Sequence, residues 1–144
     1  MCTFKRRPYF ADTAVSASVC AILLDTASMS DVEIVAYCFM PDHLHLLVEG
    51  KSAYADSRKW AGAFRRTSGF HFRRTHKGRL WQDGYYDRVH RAEDATLDVV
   101  SYIVLNPVRA GLCADASAYP FLGSSRYHFS QLLTATEWRP RSLG

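Results

Sequence analysis

Apolar positions recur along this chain in two rhythms. From about Thr13 to about Ala27, Val15, Val19, Ile22 and Leu23 return at three- and four-residue spacing behind Asp12, a residue type that caps helix starts, and predict an amphipathic helix. The rhythm then shortens to two. Glu33 to Phe39 and His43 to Glu49 are rich in β-branched, aromatic and small apolar residues and flank Pro41-Asp42, which predicts a tight hairpin. Helical spacing resumes from about Asp56 to His76, with Trp60, Ala63, Phe64, Thr67 and His71 on one face and Arg58, Arg65, Arg66 and Arg73 roughly opposite. Gly69 weakens this helix by about 1 kcal/mol relative to Ala and is expected to bend or break it. Leu80 to His90 predicts an aromatic strand with a bulge or bend at Asp83-Gly84. A third helix follows Ala92-Glu93-Asp94, with Leu97, Val100, Ile103 and Val104 inward and Tyr102 off that stripe.

Phe4 to Tyr9 begins strand-like, and Tyr119 to Phe129 is expected to pack back on the core. The order strand, helix, strand, strand, helix, strand, helix implies an α+β sandwich of ferredoxin-like type, with helices covering one face of a mostly antiparallel sheet. One domain over residues 1–130 and a C-terminal tail over 131–144, mobile from about Thr136, are expected.

Composition narrows the class. A chain of 144 residues buries about two-thirds of its unfolded surface, enough for one real core. No run of about eighteen apolar residues occurs and Met1 to Pro8 lacks a signal-peptide core, so a soluble, cytoplasmic protein is expected. Cys2, Cys20, Cys38 and Cys113 form no Cys-x-x-Cys pair, which argues against a zinc knuckle or a disulfide framework and for buried thiols. Net charge is +4, yet ten of the eighteen Lys and Arg residues lie between Arg58 and Arg91, against only Asp83 and Asp87. That concentration favours a polyanionic partner over a merely solvated helix face.

The candidate chemistry lies in two places. Period-two alternation puts His43, His45 and Leu47 on one face of their strand and Leu44, Leu46 and Val48 on the other, so two imidazoles stand side by side. Such a pair needs only one or two further groups to hold a divalent ion, although it is equally the pattern of a half-exposed strand face. Tyr102 and Asn106 are four apart and share a helix face. Asn106 has a second reading, as the N-cap of a short turn with Pro107 at its first position, because residues before proline are pushed out of helical geometry. Asp42 and Glu49 flank the hairpin and can act behind the histidines. His71, His76, His90 and His128 lack partners at ligand spacing.

Met40-Pro41-Asp42-His43-Leu44-His45-Leu46, Leu80-Trp81-Gln82-Asp83-Gly84-Tyr85-Tyr86-Asp87 and Tyr102-Ile103-Val104-Leu105-Asn106-Pro107-Val108-Arg109-Ala110-Gly111 together resemble the HUH single-strand endonucleases, and most closely the REP-associated tyrosine transposases, from about Phe4 to about Tyr127. The resemblance implies the ferredoxin-like fold, Tyr102 as nucleophile, and His43, His45 and Asn106 around a divalent metal, Mg²⁺ or Mn²⁺. It also implies a single-stranded or hairpin DNA substrate cut through a 5′-phosphotyrosine, leaving a free 3′-hydroxyl. Lys5, Arg6, Arg7, Arg58, Arg65, Arg66 and Arg73 are expected to track phosphates, with Tyr85 and Tyr86 stacking on bases and Trp81 more fitted to the core. A monomer or homodimer is expected, without a membrane partner.

Two other functions compete. One is a domesticated hairpin-DNA binder that no longer cuts. The other is a small-molecule metal hydrolase, disfavoured because no third strong ligand is evident and the basic stretch would be idle. Finally, residues 2–6 are expected to form a short strand against the His-bearing one, with the chain's start truncated or misassigned relative to an intact enzyme.

Overall fold

A computed structural model describes residues 1–85, 87 and 93–137, apart from the side chains of 93–95. Its centre is β1, Val32–Met40, in which every residue except Glu33 is buried. A strand apolar on both faces must be covered on both. Helices α1, Thr13–Ser28, and α2, Ser57–Thr75, pack on Ile34, Tyr37 and Phe39. On the other face, α3, Glu93–Arg109, and α4, Phe129–Thr134, pack on Val35, Ala36, Cys38 and Met40. The expectation of helices on one face is thereby corrected to cover on both. A bulge at Val35 accommodates the change, since Ile34 pairs with Val48 while Ala36 pairs with Leu47.

The sheet is antiparallel with strand order β2-β1-β3, where β2 is His43–Gly50 and β3 is Leu122–Gly123. Met40 pairs with His43 around the Pro41-Asp42 turn, as the sequence predicts. Gly123 has to be glycine: a Cβ there would lie 2.7 Å from the Tyr37 hydroxyl.

The chain's first residues run along the other edge of β2. Met1 and Leu44 exchange N–H···O bonds of 2.8 and 2.7 Å, and the Thr3 amide donates to the Asp42 carbonyl at 3.0 Å. On their far side, the Phe4 amide donates to Leu80 and that of Gln82 to Cys2. Residues 1–4 thus hold the central-strand place of a ferredoxin-like sheet. The expected strand over 2–6 is cut short, because Lys5 and Arg6 take left-handed φ of 54° and 55° in a 3-10 turn at Phe4–Arg6. That conformation costs an L-residue about 1–2 kcal/mol and cannot continue a ladder. The strand expected at Leu80–His90 shrinks to a single bridge, Trp81 to Thr3, with residues 86 and 88–92 outside the described set.

Helix α2 runs unbroken through Gly69, and its buried stripe is Trp60, Ala61, Phe64, Ser68 and Phe72 rather than the expected one, leaving Thr67 and His71 exposed. Ser68 can occupy a core position because its hydroxyl donates to the Phe64 carbonyl at 2.7 Å and accepts from Trp81 Nε1 at 2.9 Å. Trp81 is accordingly core, as expected, and cannot stack on a base. Val100, Ile103 and Val104 face inward on α3, which carries on through Pro107. Asn106 therefore lies within a helix instead of capping a new one.

The return segment packs as expected, with the Tyr119 hydroxyl on the Phe39 carbonyl at 2.6 Å. Packing continues past residue 130: Leu132 is fully buried, and Ala135–Glu137 forms a further 3-10 turn. Residues 138–144 of the expected tail lie outside the described set. Cys20 and Cys38 are buried, whereas Cys2 and Cys113 are only half-buried. Among the described residues, no helix is long and apolar enough to cross a membrane.

Candidate metal and nucleophile site

The hairpin turn is a fixed platform. Buried Thr3 donates its hydroxyl to the carbonyls of Arg7 and Asp42, and the Phe10 amide donates to Pro41 at 3.0 Å. From this platform His43 and His45 project toward the layer of α3, since Cys38, the cross-strand partner of His45, lies in that core. Their Nε2 atoms are 3.0 Å apart, and the Asn106 side-chain amide lies 2.8 Å from His45 Nε2. The two histidines and Asn106, 61 residues beyond His45, therefore converge on one point.

Proton bookkeeping defines what this cluster lacks. Asp42 Oδ1 lies 2.6 Å from His43 Nδ1, and a carboxylate only accepts, so Nδ1 carries a proton and, in the neutral ring, Nε2 is the lone-pair nitrogen. Asp42 stays ionised: burial pushes its carboxyl upward, but the hydrogen bond from His43 and the charge of Arg6 outweigh that and hold it below its ordinary value. Burial first, then the neighbouring His43, the Met1 amino group and Arg109, pushes His45 down to about 4, which makes it a neutral imidazole at pH 7. Two imidazoles with their Nε2 atoms turned toward each other form a donor set for a cation. Neighbouring octahedral ligands at about 2.1 Å from an ion are themselves about 3.0 Å apart, which matches this pair. Among the described residues no three His, Cys, Asp or Glu side chains converge. Asn106 presents Nδ2, a donor, to His45 Nε2, so its Oδ1 faces an ion only once the amide turns over; the set is then two imidazoles and an amide oxygen, which leaves coordination positions open.

Tyr102 stands beside it. Its ring lies edge-on to His45 with centroids 5.7 Å apart, and it is 53% exposed, reachable by a polymer substrate. Arg109, seven residues on, places its guanidinium 4.2 Å from the centre of that ring and donates to the Tyr102 carbonyl. Sequence reasoning left Arg109 unassigned, although two helical turns from Tyr102 was the available signal.

The basic residues divide into two groups. Lys5, Arg6 and Arg7 form the turn below Asp42, where Arg6 is engaged with Asp42 at 3.0 Å and with Cys2 Sγ at 2.8 Å. On α2, Arg65, Arg66 and Arg73 line a notch of about 290 Å³ with Gly62, Gly69 and Arg79. Arg79 was not anticipated. Arg65 donates to the Gln82 carbonyl and lies over the Tyr85 ring, while its Nε is buried without a hydrogen-bond partner. Arg58 is paired with Asp87 at 2.8 Å. Glu49 is bound by Arg126 at 2.7 Å, with Glu33 on the same guanidinium, so it does not stand behind the histidines. His76 stacks on Phe72, His128 precedes α4, and Tyr86 and His90 lie outside the described residues.

The depressed His45 value has a measurable consequence. In metal-free protein the unfolded chain binds more protons than the folded one between about pH 6.5 and 4, so stability falls as pH drops through that window. Urea unfolding of EDTA-treated protein at pH 7 and pH 4.5 should show this fall, with a shallower one in His45→Gln. Equal falls in both proteins would remove His45 as its source.

The family model described as transposase IS200-like matches residues 1–106. That span contains β1, β2, Tyr102 and Asn106. No curated protein and no solved structure matches the chain.

Proposed function

The chain belongs to the IS200-like transposases, and from that premise we propose that it is a metal-dependent, tyrosine-based nuclease and strand transferase acting on single-stranded hairpin DNA. Membership in the family makes DNA its partner. The observation that carries the finer reading is the convergence of His43, His45 and Asn106 beside the exposed ring of Tyr102.

In this reading the Tyr102 oxygen forms a bond to phosphorus, the bond from phosphorus to the 3′ oxygen breaks, and the DNA keeps a free 3′-hydroxyl while its 5′-phosphate stays on the protein. A bound Mg²⁺ or Mn²⁺ would polarise the phosphoryl oxygen and orient it for in-line attack. His43, His45 and Asn106 would hold that ion. Arg109 places a fixed positive charge where the phosphate arrives at the Tyr102 ring. The test is direct: end-labelled hairpin oligonucleotides incubated with Mn²⁺ should yield a protein–DNA adduct that survives denaturation. Tight hairpin binding without any adduct would favour the domesticated binder instead.

Affinity should reside elsewhere. Arg66 and Arg73 are exposed at the α2 notch, and among the described residues neither side chain has a hydrogen-bond or ion-pair partner. Changing both to Ala should weaken hairpin binding across sequences. If each meets one phosphate, the slope of log K against log salt should flatten by about 1.4–1.8. An unchanged slope would move the phosphate track off this face.

A further inference from the structure

We infer that Asp42, itself held by Arg6, is a positioning residue that fixes His43 for the metal, so the N-terminal turn and the metal centre form one connected unit. The inference rests on the metal reading proposed above and deepens it.

The relay is continuous in the structure. Arg6 Nε donates to Asp42 Oδ2 at 3.0 Å, and Asp42 Oδ1 accepts from His43 Nδ1 at 2.6 Å. His43 Nε2 then faces His45 Nε2 at 3.0 Å, and Asn106 closes the set at 2.8 Å. A neutral imidazole carries its proton on either nitrogen, and only the form with the proton on Nδ1 offers a lone pair at Nε2. Without Asp42 both forms would be populated and the ring would be free to turn about its bond to Cβ. With it, one tautomer and one orientation are selected before any ion arrives.

Asp42 could point elsewhere, and the rest of the relay explains why it does not. Thr3 binds the Asp42 carbonyl through both its amide and its hydroxyl, which anchors the backbone. Arg6 then pins the second carboxylate oxygen. Its guanidinium reaches Asp42 from a backbone in the left-handed region at two successive residues, Lys5 and Arg6. Cys2 Sγ accepts from Arg6 Nη1 at 2.8 Å, and Cys2 is itself bridged to His43 across the ladder. Arg6 is thus held from two sides and has little freedom left to track a phosphate, the role the sequence suggested for it.

The test uses the full chain and Mn²⁺ alone, without DNA, following free Mn²⁺ by electron paramagnetic resonance. Wild type should bind one ion and His45→Ala should lose it; if wild type binds none, the metal reading fails and this inference fails with it. Given wild-type binding, Asp42→Ala should weaken Mn²⁺ affinity by about 10- to 100-fold. Asp42→Asn, whose carbonyl oxygen can still accept from Nδ1, should recover part of that loss. Arg6→Ala should give a smaller loss in the same direction.

Nitrogen NMR of the metal-free protein supplies the readout that a merely structural role would not move. His43 should be a single tautomer with its proton on Nδ1 in wild type and a mixture in Asp42→Ala. A cooperative thermal melt and a wild-type far-ultraviolet circular dichroism spectrum in each variant will show that it has folded. Wild-type Mn²⁺ affinity in Asp42→Ala, or an unchanged His43 tautomer, would overturn the positioning role while leaving the histidine site standing.

Discussion

Tyr102→Phe is expected to abolish both the covalent adduct and strand cleavage, by on the order of 10⁴-fold or more, while hairpin affinity stays within about twofold. The substitution removes one oxygen from a half-exposed ring. The His45 edge contact and the Arg109 guanidinium over the ring face both involve the ring rather than the hydroxyl, so the surroundings are preserved. Loss of activity can then be assigned to loss of the nucleophile, with melting temperature as the control. An adduct that persists in Tyr102→Phe would move the nucleophile elsewhere.

How much of this was legible beforehand differs from element to element. The hairpin, α1 and the inward stripe of α3 follow from periodicity and turn chemistry, which are local signals. Cover on both faces of the sheet was also legible, though it went unread: Val32 to Met40 is apolar at nearly every position, and a strand exposed on one face would alternate. The α2 stripe was misplaced because Ser68 reads as polar, while in the fold the Phe64 carbonyl and the Trp81 indole, 13 residues away, satisfy its hydroxyl in the core. Gly69 did not break the helix because intrinsic propensity is a weak prior once one face packs. The strand near residue 80 fell to long-range geometry, since its partner among the described residues is the short run of residues 1–4.

At the site, residue identities came from motif spacing and the relations between them did not. Alternation predicts that His43 and His45 share a face, but nothing local says that Asn106 would meet His45 at 2.8 Å. The rule against helical geometry before proline argued the other way, and α3 overrides it by packing Val100, Ile103 and Val104 into the core just upstream. Arg109 and Asp42 acquire roles only through contacts, one over a ring and one on a ring nitrogen. The two basic groups also separate only in three dimensions. The α2 notch belongs to the layer on the sheet face opposite the one covered by α3, which carries Tyr102.

That separation makes the second large effect a clean one. His45→Ala should eliminate Mn²⁺ binding and reduce cleavage by about 10²- to 10³-fold or more, since polarising a phosphoryl oxygen contributes several kcal/mol at the transition state. His45 is the residue to remove because it touches both other members, His43 at 3.0 Å and Asn106 at 2.8 Å. Its loss leaves the buried Asn106 amide without that partner, at a cost to stability of about 1–3 kcal/mol. The core on the other sheet face, where α2 packs, is untouched by that change, so hairpin affinity should remain near wild type. His43→Ala should repeat the catalytic loss without disturbing Asn106. Filter binding of a labelled hairpin, set beside Mn²⁺ titration and cleavage rates for both variants and for the Arg66/Arg73 double variant, reads out the division of labour. If the histidine variants lose DNA affinity as severely as the arginine pair does, metal centre and phosphate track are one surface, and the arrangement argued from the two sheet faces is wrong.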